Sequence, residues 1–109
     1  MLKKDKKNVD NATEEVRKIL KIKSPKDIII TDHTIVRLLE RGMKNDKIYQ
    51  NLQTPAKLRK AIPQPERRRG RHMLVFEYEN NQDKVIPVDI KNDKIIAVTV
   101  FPTMRGRYT

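Results

Sequence analysis

Residues 72–101 read H-M-L-V-F-E-Y-E-N-N-Q-D-K-V-I-P-V-D-I-K-N-D-K-I-I-A-V-T-V-F, and their period of two decides the fold class. Leu74, Phe76 and Tyr78 fall on one face of a strand from His72 to Glu79. Asn80-Asn81-Gln82-Asp83 is a turn, and Lys84–Ile90 resumes with Ile86, Val88 and Ile90 on the inward face. Asn92-Asp93 makes a second tight turn. Lys94–Phe101 is apolar on both faces, as expected of a strand inside a sheet. Pro87 conflicts with this pattern because it removes a ladder donor, so its strand is expected to be an edge or to carry a bulge.

Upstream, Leu58 and Lys60 alternate with Lys57 and Arg59 in a weaker strand that ends at Ile62-Pro63. Before Ala56 the period is helical. Asn45 is placed to cap a helix over residues 46–53 with Ile48, Tyr49 and Leu52 inward, closed by Thr54-Pro55. Ile28-Ile29-Ile30 is a β-branched run, a strand or an extended lead-in. A first helix is expected over residues 11–23, with Asn11 and Glu14 as a capping pair and Ala12, Val16, Ile19 and Leu20 as one stripe. Residues 1–10 read as a disordered basic tail, 11–102 as one domain and 103–109 as a basic C-terminal tail. The expected architecture is α+β, with N-terminal helices packed on an antiparallel sheet of about four strands.

Between these elements lies Thr31–Met43, T-D-H-T-I-V-R-L-L-E-R-G-M. Asp32 is the expected N-cap and Gly42 the left-handed residue that ends the helix. Ile35, Leu38 and Leu39 should face the core. His33, Arg37 and Arg41 then stack at four-residue intervals on the opposite face, with Glu40 three residues from Arg37. An imidazole aligned with two guanidiniums can hold a phosphate and move a proton. The same stripe also reads as a solvated helix face with an Arg37–Glu40 ion pair.

The chain holds 25 Lys and Arg against 14 Asp and Glu, a formal net charge of +11 in 109 residues. Such a surplus points to a polyanionic partner. The run Glu66-Arg67-Arg68-Arg69-Gly70-Arg71 and the pair Arg105 and Arg107 concentrate it. An up-down meander would put Arg71 and Arg105 at opposite ends of the sheet. No run of roughly 18 apolar residues is present, and M-L-K-K-D-K-K-N lacks the apolar region of a secretory leader. A cytoplasmic protein without a membrane partner is therefore expected. With no cysteine, 2 histidines and 3 glycines without a phosphate-loop pattern, neither a metal site nor a nucleotide cofactor is expected.

The pattern H-x-x-x-R-x-x-E-R-G at His33–Gly42 resembles the signature of a small prokaryotic domain family of unknown function, related to RelE/ParE and BrnT toxins. N-D-K-I-Y-Q-N-L-Q-T-P at Asn45–Pro55 is similar to that family's second helix, and A-V-T-V-F-P at Ala97–Pro102 to its last strand. The resemblance spans residues 28–102. It implies a RelE-like fold, shared with barnase and colicin E5, and in the ribonuclease members a positive concave face that cuts RNA without metal. It assigns His33, Arg37, Glu40 and Arg41 to the family pattern, and Thr99 to the last-strand threonine.

On this reading His33 is the proton-transfer candidate, because imidazole titrates near neutrality. Arg37 and Arg41 are phosphate clamps. Glu40 beside two arginines is better suited to a salt bridge than to a base role. Arg67, Arg68, Arg69, Arg71, Arg105 and Arg107 are the expected nucleic-acid contacts. His72 is a second proton donor unless alternation turns it to the core, and Tyr108 can stack on a base. The expected function is that of a nucleic-acid-acting domain, a metal-independent endoribonuclease of the toxin type or an inactive relative, with RNA ahead of DNA. The alternatives are a non-catalytic RNA- or DNA-binding module and a protein that docks an acidic antitoxin.

Overall fold

The computed structural model describes residues 6–23, 25–42, 45–78, 81–91 and 94–104. Among them are helices α1 (Lys6–Ile22), α2 (Asp32–Glu40) and α3 (Asn45–Leu52) and strands β1 (Ile28–Ile30), β2 (Leu58–Pro63), β3 (Arg71–Glu77), β4 (Gln82–Lys91), β5 (Lys94–Ala97) and β6 (Phe101–Met104). The fold is α+β, as expected. The sheet has six strands rather than four and is mixed rather than antiparallel, in the order β1-β5-β4-β3-β2 with β6 also on β4. The parallel pair is β1 with β5, in register Ile28 to Ile95 and Ile30 to Ala97.

One core joins the helices to one face of the sheet. Val16 and Leu20 of α1, Leu38 of α2 and Ile48 and Leu52 of α3 pack with Leu74, Phe76, Ile86, Val88, Ile95 and Ala97. The strand alternation expected for Leu74 and Phe76, and for Ile86 and Val88, is therefore correct. Tyr78 is only half-buried, beyond the end of β3, and the Tyr49 side chain lies outside the described residues. The first helix begins at Lys6, so Lys6–Asp10 are helical rather than tail, and Asn11 and Glu14 lie inside the helix instead of capping it. Val9 and Thr13 are buried with the expected stripe. The Thr13 hydroxyl accepts from the Ala61 amide at 2.9 Å and Arg17 donates to the Leu58 carbonyl at 2.6 Å, so α1 covers backbone groups of edge strand β2.

Two departures have local causes. In β2, Leu58 pairs with Phe76 but Lys60 with Val75, so a bulge at Arg59 shifts the phase. Leu58 and Ala61, not Leu58 and Lys60, are buried, and Arg59 reaches Asp83 of β4 at 2.6 Å. In β4, Pro87 sits in an interior strand and not at an edge. Its carbonyl accepts from the Val98 amide at 2.9 Å, while its missing N–H falls where the neighbouring strand is interrupted. The expected long strand 94–101 is consequently split. β5 pairs with Val88–Lys91, β6 pairs with Gln82–Val85, and residues 98–100 leave the ladder between them.

Helix α2 meets the carbonyls of this break. Thr34, 0% exposed, directs its single hydroxyl proton to the Val98 carbonyl at 2.6 Å, shared with the Ala97 carbonyl at 3.1 Å, and the Arg41 guanidinium donates to the Val100 carbonyl. Such pairing matters because a buried carbonyl left without a donor costs about 1–3 kcal/mol. The inward side of α2 is thus Thr34 and Leu38 with half-buried Ile35, whereas Leu39, expected in the core, is 70% exposed. The N-cap is Thr31, whose hydroxyl accepts from the Thr34 amide, and Asp32 is the first helical residue. Gly42 ends the helix at φ +67°, as expected. No helix among the described residues is long and apolar enough to cross a membrane.

Candidate nucleic-acid interface

The arginine run, expected to contact nucleic acid, is an ordered connection between β2 and β3. Gln64 donates its amide to the Arg71 carbonyl at 2.9 Å, and its own carbonyl accepts from the Arg67 and Arg68 amides at 3.0 and 3.3 Å. Gly70 closes the turn at φ +84°, a conformation glycine adopts without steric cost. A Cβ there would stand 2.5 Å from the Ile90 carbonyl oxygen, so β4 approaches too closely for any side chain. The Gly70 carbonyl accepts from the Ile90 amide at 2.9 Å and from His72 Nδ1 at 3.0 Å. His72 is half-buried, in phase with Leu74 and Phe76, and this bond places its proton on Nδ1 and ties the ring to the loop.

Asp89 of β4 anchors the same connection. Arg71, which stands opposite it in the β3–β4 ladder, donates from Nε to Oδ1 at 2.6 Å and from Nη2 to Oδ2 at 3.4 Å. Arg68 adds Nη1 to Oδ2 at 3.3 Å. Asp89 is 6% exposed. The Arg71 hydrogen bond holds its carboxyl below the usual range, opposed by burial and helped by the charges of Arg71 and Arg68. One buried carboxylate therefore engages two guanidiniums, while Arg67 and Arg69 project from the rigid turn as exposed cations. A cavity of about 700 Å³ lies beside them, lined by Arg68, Arg69, Lys91, Asp89, Ile90 and Ile96. Its cations and small apolar floor suit a phosphate with a base or sugar attached.

The other expected residues divide differently. His33, Arg37 and Glu40 are exposed on α2. Arg17–Glu14, Arg59–Asp83, Arg68–Asp89, Arg71–Asp89 and Lys94–Asp27 are ion pairs among the described residues, whereas the alternative Arg37–Glu40 pair is not formed. Arg41 is engaged with the Val100 carbonyl, and Thr99 lies half-buried in the break between β5 and β6 rather than in a strand. No hydrogen bond or ion pair among the described residues joins His33 or Arg37 to the arginine connection. The chain reaches Met104 beside Gln82, at the far end of β4 from Arg71 and Asp89. Arg105, Arg107 and Tyr108 lie outside the described residues. No group of three or more His, Cys, Asp or Glu side chains among the described residues could hold a metal ion.

Sequence reasoning missed Asp89, Gly70 and Thr34. Asp89 carried a signal, being an acidic residue between Val88 and Ile90 in an otherwise apolar strand. Gly70 carried one too, as a lone glycine inside an arginine run that precedes a strand. Thr34 carried none, because its two acceptors are set by a break in a strand more than sixty positions away. Comparison with protein-family models, with curated proteins and with solved structures finds no match to this chain.

Proposed function

We propose that this protein binds nucleic acid, RNA in preference to DNA, on the basic surface built by the β2–β3 connection. The observation that carries this reading is the pinned turn, in which Arg68 and Arg71 are fixed on Asp89 and Arg67 and Arg69 are presented to solvent. Cations held on a rigid scaffold lose less conformational freedom on binding a phosphate than cations on a loose tail. The net charge of +11 supplies the long-range attraction. The preference for RNA rests on the resemblance of residues 33–42 to the toxin-related pattern.

The test is the salt dependence of binding to a single-stranded RNA. Replacing Arg67 and Arg69 together by Gln should weaken binding and flatten the dependence of log K on log salt by about 1 to 2, while leaving stability within about 0.5 kcal/mol. Arg68 and Arg71 are unsuitable for this purpose because their removal strips Asp89 of its partners. An unchanged slope in the double variant would show the turn to be a solubilising surface and defeat the reading.

A second reading, metal-independent RNA cleavage, is favoured by one observation. His33 and Arg37 are exposed one turn apart on α2 and make no side-chain ion pair among the described residues. His33 would take the proton of a 2′-hydroxyl as that oxygen attacks phosphorus, and Arg37 would hold the charge that develops at phosphorus. The P–O5′ bond would break, with water protonating the departing 5′-oxygen and a 2′,3′-cyclic phosphate left behind. Arg41 holds α2 to the Val100 carbonyl instead, so its role in this chemistry is positional. If the reading is right, His33→Ala lowers cleavage in EDTA by about 10²–10⁴-fold without moving the thermal transition. Wild-type protein that binds RNA without cutting it between pH 5 and 9, with and without ribosomes, would leave binding as the function.

A further inference from the structure

A second cavity, of about 510 Å³, opens at the opposite end of β4 from the arginine turn. It lies between the C-terminal end of α3 and the ends of β3 and β4, lined by Gln50, Asn51, Lys57, Glu77, Tyr78 and Lys84. Its volume falls in the range of small-molecule sites, about 300–1,000 Å³. Among the described residues no aliphatic side chain lines it, and its lining is polar and aromatic.

Lys84 is the informative residue. It stands in register with Phe76, on the face of β4 that also carries Ile86 and Val88, and it is 2% exposed. Packing alone would favour an apolar residue there, since bringing an ammonium out of water is costly. Instead Nζ donates to Asn51 Oδ1 at 3.1 Å and lies 4.3 Å from the centre of the Tyr78 ring. The Asn51 amide oxygen is occupied by this bond, so its amide nitrogen remains the group with donors to offer.

The chemistry of this lining matches the parts of a nucleotide. Lys57 and Lys84 are suited to a phosphate, and the Tyr78 ring is a surface for a flat base. The Gln50 amide can donate to and accept from a base edge, the Asn51 amide nitrogen can donate to one, and Glu77 can accept from ribose hydroxyls. We propose that this cavity binds one nucleotide, its base against Tyr78 and its phosphate between Lys57 and Lys84. The proposal does not depend on the arginine turn, because the two sites stand at opposite ends of β4 and share no lining residue among the described ones.

The test titrates the full chain with adenosine 5′-monophosphate, adenosine and inorganic phosphate, following backbone amide resonances. The expected result is saturable shifts at Asn51, Glu77 and Lys84 with the nucleotide, and at least about tenfold weaker binding of adenosine or phosphate alone, since each supplies half the contacts. Tyr78→Leu should weaken nucleotide binding about tenfold through lost stacking. Lys57→Gln, at an exposed position, should weaken it severalfold with an unchanged urea transition, and serves as the decisive variant if Tyr78→Leu does not fold. Shifts confined to residues 66–71, phosphate binding as tightly as the nucleotide, or affinity indifferent to Lys57→Gln would each overturn the proposal. Loss of the RNA-binding reading would show separately, in the salt dependence of the Arg67 and Arg69 variant.

Discussion

On α2, Arg41 turns to the Val100 carbonyl while Arg37 and His33, one and two turns earlier, remain in solvent. On the β2–β3 connection, Arg71 turns inward to Asp89 and Arg68 touches the same carboxylate from a largely exposed position, while Arg67 and Arg69 remain in solvent. Each region spends part of its cationic charge on structure and displays the rest. The partners differ, and the difference is instructive. A carbonyl leaves the Arg41 charge intact and ties down the end of one helix. A carboxylate neutralises one charge of its pair of arginines and fixes a whole turn. The helix therefore presents groups on an element that is rigid by its own hydrogen bonds, whereas the turn owes its rigidity to Asp89 and Gly70.

The largest expected effect follows from that dependence. Gly70→Ala must place a Cβ 2.5 Å from the Ile90 oxygen at a backbone conformation other residues rarely adopt. It should lower stability by about 3 kcal/mol or more in urea unfolding, and a variant as stable as wild type would show that the turn can relax. Thr34→Val comes next. It keeps the volume and removes the donor to the Ala97 and Val98 carbonyls, at an expected cost of about 1–3 kcal/mol by the same measurement. A neutral result would mean that the β5–β6 break finds its donors elsewhere.

The smallest effect is confined to acid. The carboxyl of Asp89 is held below its ordinary range, so its contribution to stability is present above the unfolded aspartate value of about 3.9 and is lost as pH falls through the lower folded value. Asp89→Asn should therefore remove part of the loss of stability seen below about pH 4, while its effect at neutral pH reflects the lost pairing with Arg71 and Arg68. Coincident acid limbs for wild type and variant would show that the anchor is not electrostatic.

Strands with an unbroken period of two were legible, and Leu74, Phe76, Ile86 and Val88 face the core as their spacing requires. The reading failed where one residue's local rule was answered by a distant partner. Pro87 is tolerated in an interior strand because its absent donor meets an interruption in the neighbouring strand. Leu39 is exposed and Thr34 buried because the carbonyls of that interruption favour a hydroxyl over a methyl group. The bulge at Arg59 is likewise invisible to alternation, since it appears only in the pairing of β2 with β3. In the candidate interface the abundance of arginine was legible, but not which arginines are free.

By itself the sequence determined the α+β class, the periodic elements and the excess positive charge, because these follow from local spacing and composition. The tertiary structure alone decided which cations are structural and which are displayed. The reason is distance along the chain. Arg71 and Arg68 meet Asp89 at separations of 18 and 21 residues, and Arg41 meets Val100 at 59. Only strand register and helix packing bring such groups within hydrogen-bonding reach.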